Sequence, residues 1–272
     1  MGTLKIAVVG AAGRMGRMLV EAVLQDGAAE LAAAVEIPGH PLIGKSVGEL
    51  VGLPCALRVS AEAEAGIARA DCLIDFTRPK GTLDHLAICR RHKVAAVIGT
   101  TGLDDAGKAA VAEAAREIPV VFAPNMSIGV NVMFKLLDVA SRLLAQGYDV
   151  EIVEAHHRQK VDAPSGTALR MGEVIAGALG RDLKKCAIFG REGITGERDP
   201  STIGFSSIRG GDMVGEHTAM YCGIGERVEI THKTGSRVPY ALGALRAARF
   251  LAGKANGLFD MQDVLGFQKT ED

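Results

Sequence analysis

One stretch near the N-terminus restricts the fold more than any other. Ile6-Ala7-Val8-Val9 runs straight into Gly10-Ala11-Ala12-Gly13-Arg14-Met15-Gly16 and then into a helical pattern that reaches Leu24. Four apolar residues with no polar alternation describe a strand buried on both faces, which requires helices on both sides of a mostly parallel sheet. The order of strand, glycine turn and helix is that of a dinucleotide-binding unit, although the spacing is GxxGxxG and not the commoner GxGxxG. Glycine loops before helices also arise for packing alone, and the second strand bears on which reading holds. Leu31-Ala32-Ala33-Ala34-Val35-Glu36 reads as that strand. It ends in an acid about 20 residues beyond the glycines, where dinucleotide sites place the carboxylate that binds the adenosine ribose. Gly10, Ala11, Ala12, Gly13, Arg14, Met15 and Glu36 are therefore candidate cofactor ligands.

Two further buried-type strands, at 71–77 and 94–98, with helix patterns near 83–91 and 105–116, extend a parallel sheet. Ligands of such sheets sit at the C-terminal ends of strands. Those ends carry Phe76-Thr77-Arg78-Pro79, Gly99-Thr100-Thr101-Gly102 and Ala123-Pro124-Asn125-Met126. A long apolar helical pattern then begins behind Ser127 and leads into the second half of the chain.

The densest chemistry lies mid-chain, in Glu154-Ala155-His156-His157-Arg158-Gln159-Lys160-Val161-Asp162-Ala163-Pro164-Ser165-Gly166-Thr167-Ala168. The preceding residues from Tyr148 alternate polar and apolar, as in a half-buried strand that delivers the histidines to its end. Adjacent strand residues face opposite ways, so His156 and His157 share a pocket only if the backbone bends between them. Ala163-Pro164 enforces a break, and Ser165 stands as an N-cap before a helix-forming run. A helix start offers unpaired N–H groups and the positive end of a dipole, and Gly166 leaves that backbone bare. With Lys160 and Arg158 nearby this is an anion site, and a histidine beside it can supply or orient a proton. A capped helix behind a basic loop would have the same pieces for structural reasons alone.

The string HHRQKVDAPSGTA resembles the signature of 4-hydroxy-tetrahydrodipicolinate reductase, also called dihydrodipicolinate reductase, a family of nicotinamide enzymes in the diaminopimelate route to lysine. GTTG at 99–102, APNMSIGVN at 123–131, REGITGER, Gly215-Glu216-His217-Thr218 and Glu229-Ile230-Thr231-His232-Lys233 are similar to family segments as well. The resemblance implies a Rossmann-type α/β domain with a parallel sheet, interrupted by an inserted α+β substrate and oligomerisation domain with a mixed sheet. The expected division is 1–127 for the dinucleotide domain, 128–236 for the substrate and tetramerisation domain, and 237–272 for a segment returning to the first. It implies His156 as proton donor or acceptor, Lys160 as proton donor and carboxylate partner, and His157 as substrate ligand. Ser165, Gly166 and Thr167 become the cradle of one carboxylate, and Gly99, Thr100, Thr101, Ala123, Pro124, Asn125 and Met126 become cofactor contacts. The substrate is a cyclic dicarboxylate and the cofactor NADH, NADPH or both. The family can carry an arginine directly after the ribose acid to grip a 2′-phosphate, whereas here Ile37 follows Glu36. On local chemistry NADH is expected to bind at least as well as NADPH.

The remaining sequence adds limits. A formal net charge of -1 gives no reason to expect nucleic acid or an anionic membrane as partner. The five cysteines form no CxxC pair or zinc pattern, and the N-terminal apolar run is too short for a signal peptide or span, so a cytoplasmic protein without a metal is expected. Strand patterns at 205–209, 213–222 and 227–232, separated by Gly210-Gly211 and by residues 223–226, predict a mixed or antiparallel sheet, and the glycine-rich 190–198 stretch predicts a mobile loop. His217 and His232 read as packing or interface groups, and the family implies a homotetramer joined through the open face of that sheet. Two competing readings stay open: a non-catalytic dinucleotide sensor, which leaves HHRQK before SGTA without a purpose, and another reductase of a small anionic substrate on the same fold.

Overall fold

Uninterrupted apolar runs become the strands of one sheet, and alternating runs become a second. The structure, a computed structural model, describes residues 2–267. The first part of the chain forms β1 (Leu4–Val9), α1 (Arg14–Gln25), β2 (Ala29–Val35), α2 (Val47–Val51), α3 (Ala63–Ile67), β3 (Cys72–Asp75), α4 (Pro79–His92), β4 (Ala95–Ile98), α5 (Asp105–Ala114) and β5 (Pro119–Phe122). Then come α6 (Ile128–Leu143), β6 (Asp149–His156), α7 (Gly166–Ala178), α8 (Leu183–Cys186), β7 (Ala187–Phe189), β8 (Ile203–Arg209), β9 (Gly215–Cys222) and β10 (Arg227–Thr234). The chain closes with α9 (Val238–Leu251), β11 (Gly257–Phe259) and α10 (Met261–Leu265). Two compact units result, one of residues up to Ile128 together with those from Arg237 onward, the other Gly129–Ser236.

The first unit holds a six-stranded sheet in the order β11-β5-β4-β3-β1-β2, every pair parallel. Its strands lack polar alternation because both faces are covered. Ile6 and Val8 enter one core with Leu19 and Val23 of α1 and Leu245 of α9, while Ala7 and Val9 enter the other with Leu86 of α4 and Val111 of α5. The edge strand β11 escapes a sequence reading because three residues, Gly257-Leu258-Phe259, carry no periodicity. It is a strand only because β5 offers it a free edge.

The second unit holds a mixed five-stranded sheet in the order β10-β9-β6-β8-β7. Gly210-Gly211, expected to separate successive strands, does not join neighbours: β8 and β9 lie on either side of β6, parallel and antiparallel to it. One face of the sheet is covered by α6 and α7 through Leu137, Met171 and Ile175, packed on Val150, Ile152, Phe205, Ala219 and Tyr221. The register shows where this apolar face turns polar. Ile152 is level with Phe205, Ala219 and Ile230, but the next level of the same face is Glu154 with Ser207, His217 and His232. One level further stand His156 and Arg209. A single sheet face thus runs from core into chemistry within one strand repeat.

The 190–198 stretch has no regular structure, as expected, yet it is tied down rather than free. Arg191 pairs with both carboxylate oxygens of Glu151 at 2.9–3.0 Å, and Arg198 reaches Glu151, Asp149 and the carbonyl oxygens of Val150 and Thr202. No helix among the described residues is long and apolar enough to cross a membrane.

Candidate active site

In the first unit the glycine loop closes over a cleft of about 1030 Å³ lined by Gly10, Gly13, Arg14, Glu36, Phe76 and His85 among others. Gly10 takes φ +65°, a conformation open to glycine, and a Cβ on Gly16 would lie 2.0 Å from the Gly10 carbonyl oxygen. The start of α1 therefore packs directly on the loop. Glu36, at the end of β2, accepts the Ala12 N–H at 2.8 Å through one oxygen and its neighbour Ile37's N–H at 3.1 Å through the other. The acid fixes the glycine loop from across the cleft. A bare backbone at a helix start with an acid opposite is the donor set a dinucleotide requires, so these residues fit a nicotinamide cofactor.

The other expected cofactor residues fall into two groups. Ala11, Thr100, Ala123 and Met126 are buried, so the main chain is what they can offer a ligand, whereas Thr101 and Pro124 are exposed and Asn125 is half-buried. Gly99 has a packing reason to be glycine, since a Cβ there would sit 2.3 Å from the Phe76 ring. Sequence reasoning missed a polar knot at the end of β3. The buried Asp75 carboxylate accepts from Thr77 N–H at 2.8 Å and Thr77 Oγ1 at 2.6 Å, and its other oxygen lies 2.8 Å from His85 Nδ1. The sole signal was an acid ending an otherwise apolar strand.

In the second unit the site is built on Glu154, which is only 1% exposed. Arg209 donates to both of its oxygens at 2.7 and 2.8 Å, the Ser165 N–H donates to one at 3.2 Å, and His156 Nδ1 lies 2.6 Å from the other. Burial raises the Glu154 pKa, but hydrogen bonds from Arg209, Ser207 and His156 outweigh it and bring the group down to about 2. His156 is held below the usual histidine range, first by burial and then by the charges of Lys160 and Arg209, with Glu154 opposing. Near neutrality its ring is uncharged, donates from Nδ1 to Glu154 and keeps a lone pair on Nε2.

Ser165 caps α7 as expected, its Oγ accepting the Ala168 N–H at 3.2 Å. A Cβ on Gly166 would meet no protein atom within 4 Å, so packing does not demand a glycine there. Lys160 follows a turn closed by its N–H to the His157 carbonyl oxygen and holds Asp162 at 2.8 Å, and the Asp162 carbonyl oxygen accepts from Arg209 at 2.7 Å. His156, Lys160 and Ser165 thus belong to one network with Glu154 and Arg209. Thr167 follows Gly166 in the first turn of α7. His157 is joined to the site through its backbone, its N–H donating to the Met213 carbonyl oxygen at 2.8 Å, and its Nδ1 is buried without a partner. Glu154, Arg209 and His217 were not selected from the sequence as site residues. Period-two spacing from Val150 and Ile152 carries the signal for Glu154, and no local pattern points to Arg209.

Family models described as the N-terminal and C-terminal parts of dihydrodipicolinate reductase match residues 4–126 and 129–265. The chain belongs to the dihydrodipicolinate reductase family. It is 68% identical over 268 residues to a 4-hydroxy-tetrahydrodipicolinate reductase of Dechloromonas aromatica, covering 98% of this chain and 100% of the relative. A protein of the same name from Cupriavidus pinatubonensis is 64% identical, with 97% and 100% covered. Among solved structures, a dipicolinate-bound dihydrodipicolinate reductase from Paenisporosarcina sp. TG-14 superposes with a TM-score of 0.75 at 25% identity, covering 96% of this chain and 98% of that one. In this member of the dihydrodipicolinate reductase family, both halves of the family pattern are present on one chain.

Proposed function

We propose that this chain reduces 4-hydroxy-tetrahydrodipicolinate to tetrahydrodipicolinate in lysine biosynthesis, taking up a hydride and a proton and releasing water. The observation that carries this reading is the network that ties His156, through Glu154, to the Ser165 cap at the N-terminus of α7. A proton-handling imidazole and an anion cradle share one buried carboxylate, which is what a ring bearing carboxylates beside its reacting atoms needs.

A reduced nicotinamide, held by the glycine loop and Glu36, supplies the hydride when bound. The chain's own residues do the rest. The first-turn N–H groups of Gly166 and Thr167, with the Ser165 hydroxyl, hold one carboxylate of the ring, and Lys160 neutralises charge by exchanging Asp162 for the substrate. Glu154 fixes His156 in the tautomer whose Nε2 exchanges a proton, and Arg209 keeps Glu154 charged and oriented. His157 lines the same substrate region as a further ligand.

The dinucleotide role of the first unit and the substrate role of the second are part of the proposal, as is a cytoplasmic homotetramer joined through the outer face of the second sheet. That face leaves Ile208, level with Ala155, exposed, which supports its use as an interface. Oxidation of NADH and of NADPH with freshly generated 4-hydroxy-tetrahydrodipicolinate tests the activity. Stoichiometric cofactor binding without turnover would favour a sensor, and turnover of a different carbonyl or imine acid alone would favour another reductase.

A further inference from the structure

Ser165 Oγ has more neighbours than a cap requires. It accepts the Ala168 N–H at 3.2 Å and lies 2.9 Å from Nε2 of His217. A hydroxyl has two lone pairs and one proton, so the direction of the second bond decides what the proton is free to do. His217 sits on β9, level with Glu154 on β6 and His232 on β10, and is 4% exposed. Its ring meets that of His156 edge-on at 5.1 Å. Burial, reinforced by His156, His232 and Lys160 and opposed by Glu154, pushes its pKa down to about 4. The ring therefore has one N–H at neutral pH.

Two tautomers are possible, and both leave Nδ1 without a partner, because that atom is buried and unpaired. With the proton on Nδ1, a buried donor goes unsatisfied and the serine's only proton is spent on the ring. With the proton on Nε2, the ring donates to Ser165 and the unpaired atom is an acceptor, the less severe omission by analogy with backbone groups. Both lone pairs of Ser165 are then filled, and its O–H has to point to a third group.

We propose that His217 is a positioning residue that donates from Nε2 to Ser165, turning the serine hydroxyl into a donor for the carboxylate bound at the start of α7. This rests on the function proposed above and names a residue of its substrate site. The arrangement lets one oxygen cap the helix and bind substrate at once. A serine whose proton is taken by the ring caps equally well but offers the anion only a lone pair.

The test combines a double-mutant cycle with a direct reading of the tautomer. Dipicolinate is the probe, its affinity measured by competition against substrate. Ser165→Ala and His217→Leu each weaken it by about 10-fold or more, as for a hydrogen bond to a charged group. The double variant is no weaker than the singles, and KM for NADH stays unchanged. Additive losses, or an unaltered affinity in His217→Leu, would overturn the assignment. Nitrogen NMR of the ring-labelled wild-type enzyme gives the answer even if a variant does not fold: an Nε2–H tautomer is expected, and an Nδ1–H tautomer refutes the proposal. Wild-type enzyme that neither binds dipicolinate nor turns over 4-hydroxy-tetrahydrodipicolinate would sink the functional reading itself, whereas normal binding with an additive cycle sinks this inference alone.

Discussion

Glu154 Oε2 and His156 Nδ1 stand 2.6 Å apart on the same face of β6, two residues from each other along the strand. The carboxylate fixes which imidazole nitrogen carries the proton. Glu154→Gln keeps the shape but replaces an anion with an amide that has to compete for the same donors, and leaves Arg209 without its charge partner. Since a positioned acid–base group contributes about 10²–10⁴ in rate, a substantial part of that, of the order of 10–100-fold in kcat, is expected to go with the anchor. Steady-state kinetics should show the loss in kcat while KM for NADH holds, and an unchanged kcat would remove Glu154 from the mechanism.

His156→Ala and Lys160→Ala act on the groups themselves. Each is expected to lower turnover by about 10²-fold or more, with cofactor binding intact because the glycine loop and Glu36 belong to the other unit. Fluorescence titration with NADH separates the two quantities. Near-normal turnover in both variants would contradict the assignment.

Gly215 provides a steric test of the same imidazole. A Cβ at this position would lie 3.1 Å from His156 Nε2, closer than side-chain carbons ordinarily approach. Gly215→Val should therefore tilt the ring off Glu154 and depress kcat by more than it raises KM, while Gly166→Ala, whose Cβ meets no protein atom, should act mainly on substrate KM. Equal effects of both variants on kcat and KM would mean that Nε2 is not where the proton moves.

These relationships mark how far the sequence could be read. The parallel sheet was legible because Ile6 to Val9 and Cys72 to Ile74 lack alternation, and the Ser165 cap because proline and a small polar residue precede a helical run. Glu154 and Arg209 were hidden for a physical reason: they lie 55 residues apart and meet only because β8 lies beside β6 in the register that sets Arg209 opposite His156. The tie between the 190–198 stretch and β6 was hidden likewise. Gly204 leaves room for Glu151 to receive two arginines, since a Cβ there would lie 1.8 Å from the carboxylate. Local pattern gives a side chain's face, and pairing register gives its partner.

Acid should destabilise the second unit in two stages. The folded pKa of His217, about 4, lies below its ordinary 6.5, and that of Glu154, about 2, lies below 4.5. In both cases the unfolded chain binds the extra proton, so stability rises with pH. The His217 contribution is complete above pH 6.5 and is lost as pH falls to about 4, and the Glu154 contribution is complete above 4.5 and is lost toward 2. Each stage amounts to up to about 3 kcal/mol. Urea midpoints measured between pH 7.5 and 4 should fall, and His217→Gln should flatten the upper part of that slope. A flat wild-type profile over this range would contradict the burial of His217.

Cofactor choice turns on Glu36 and the residue after it. Both Glu36 oxygens accept main-chain N–H groups, from Ala12 and Ile37, so the carboxylate is held in place and cannot swing aside for a 2′-phosphate. Ile37 is 70% exposed at the rim of the cleft and offers that phosphate no charge. NADH should therefore match or exceed NADPH in kcat/KM. Ile37→Arg should raise kcat/KM for NADPH by about 10-fold or more, the worth of a charge-assisted hydrogen bond, with little change for NADH. Arg14 and His40 also line the cleft. A wild-type preference for NADPH would refute the argument from Ile37 and transfer the phosphate to one of those two side chains, which Arg14→Ala and His40→Ala would then tell apart.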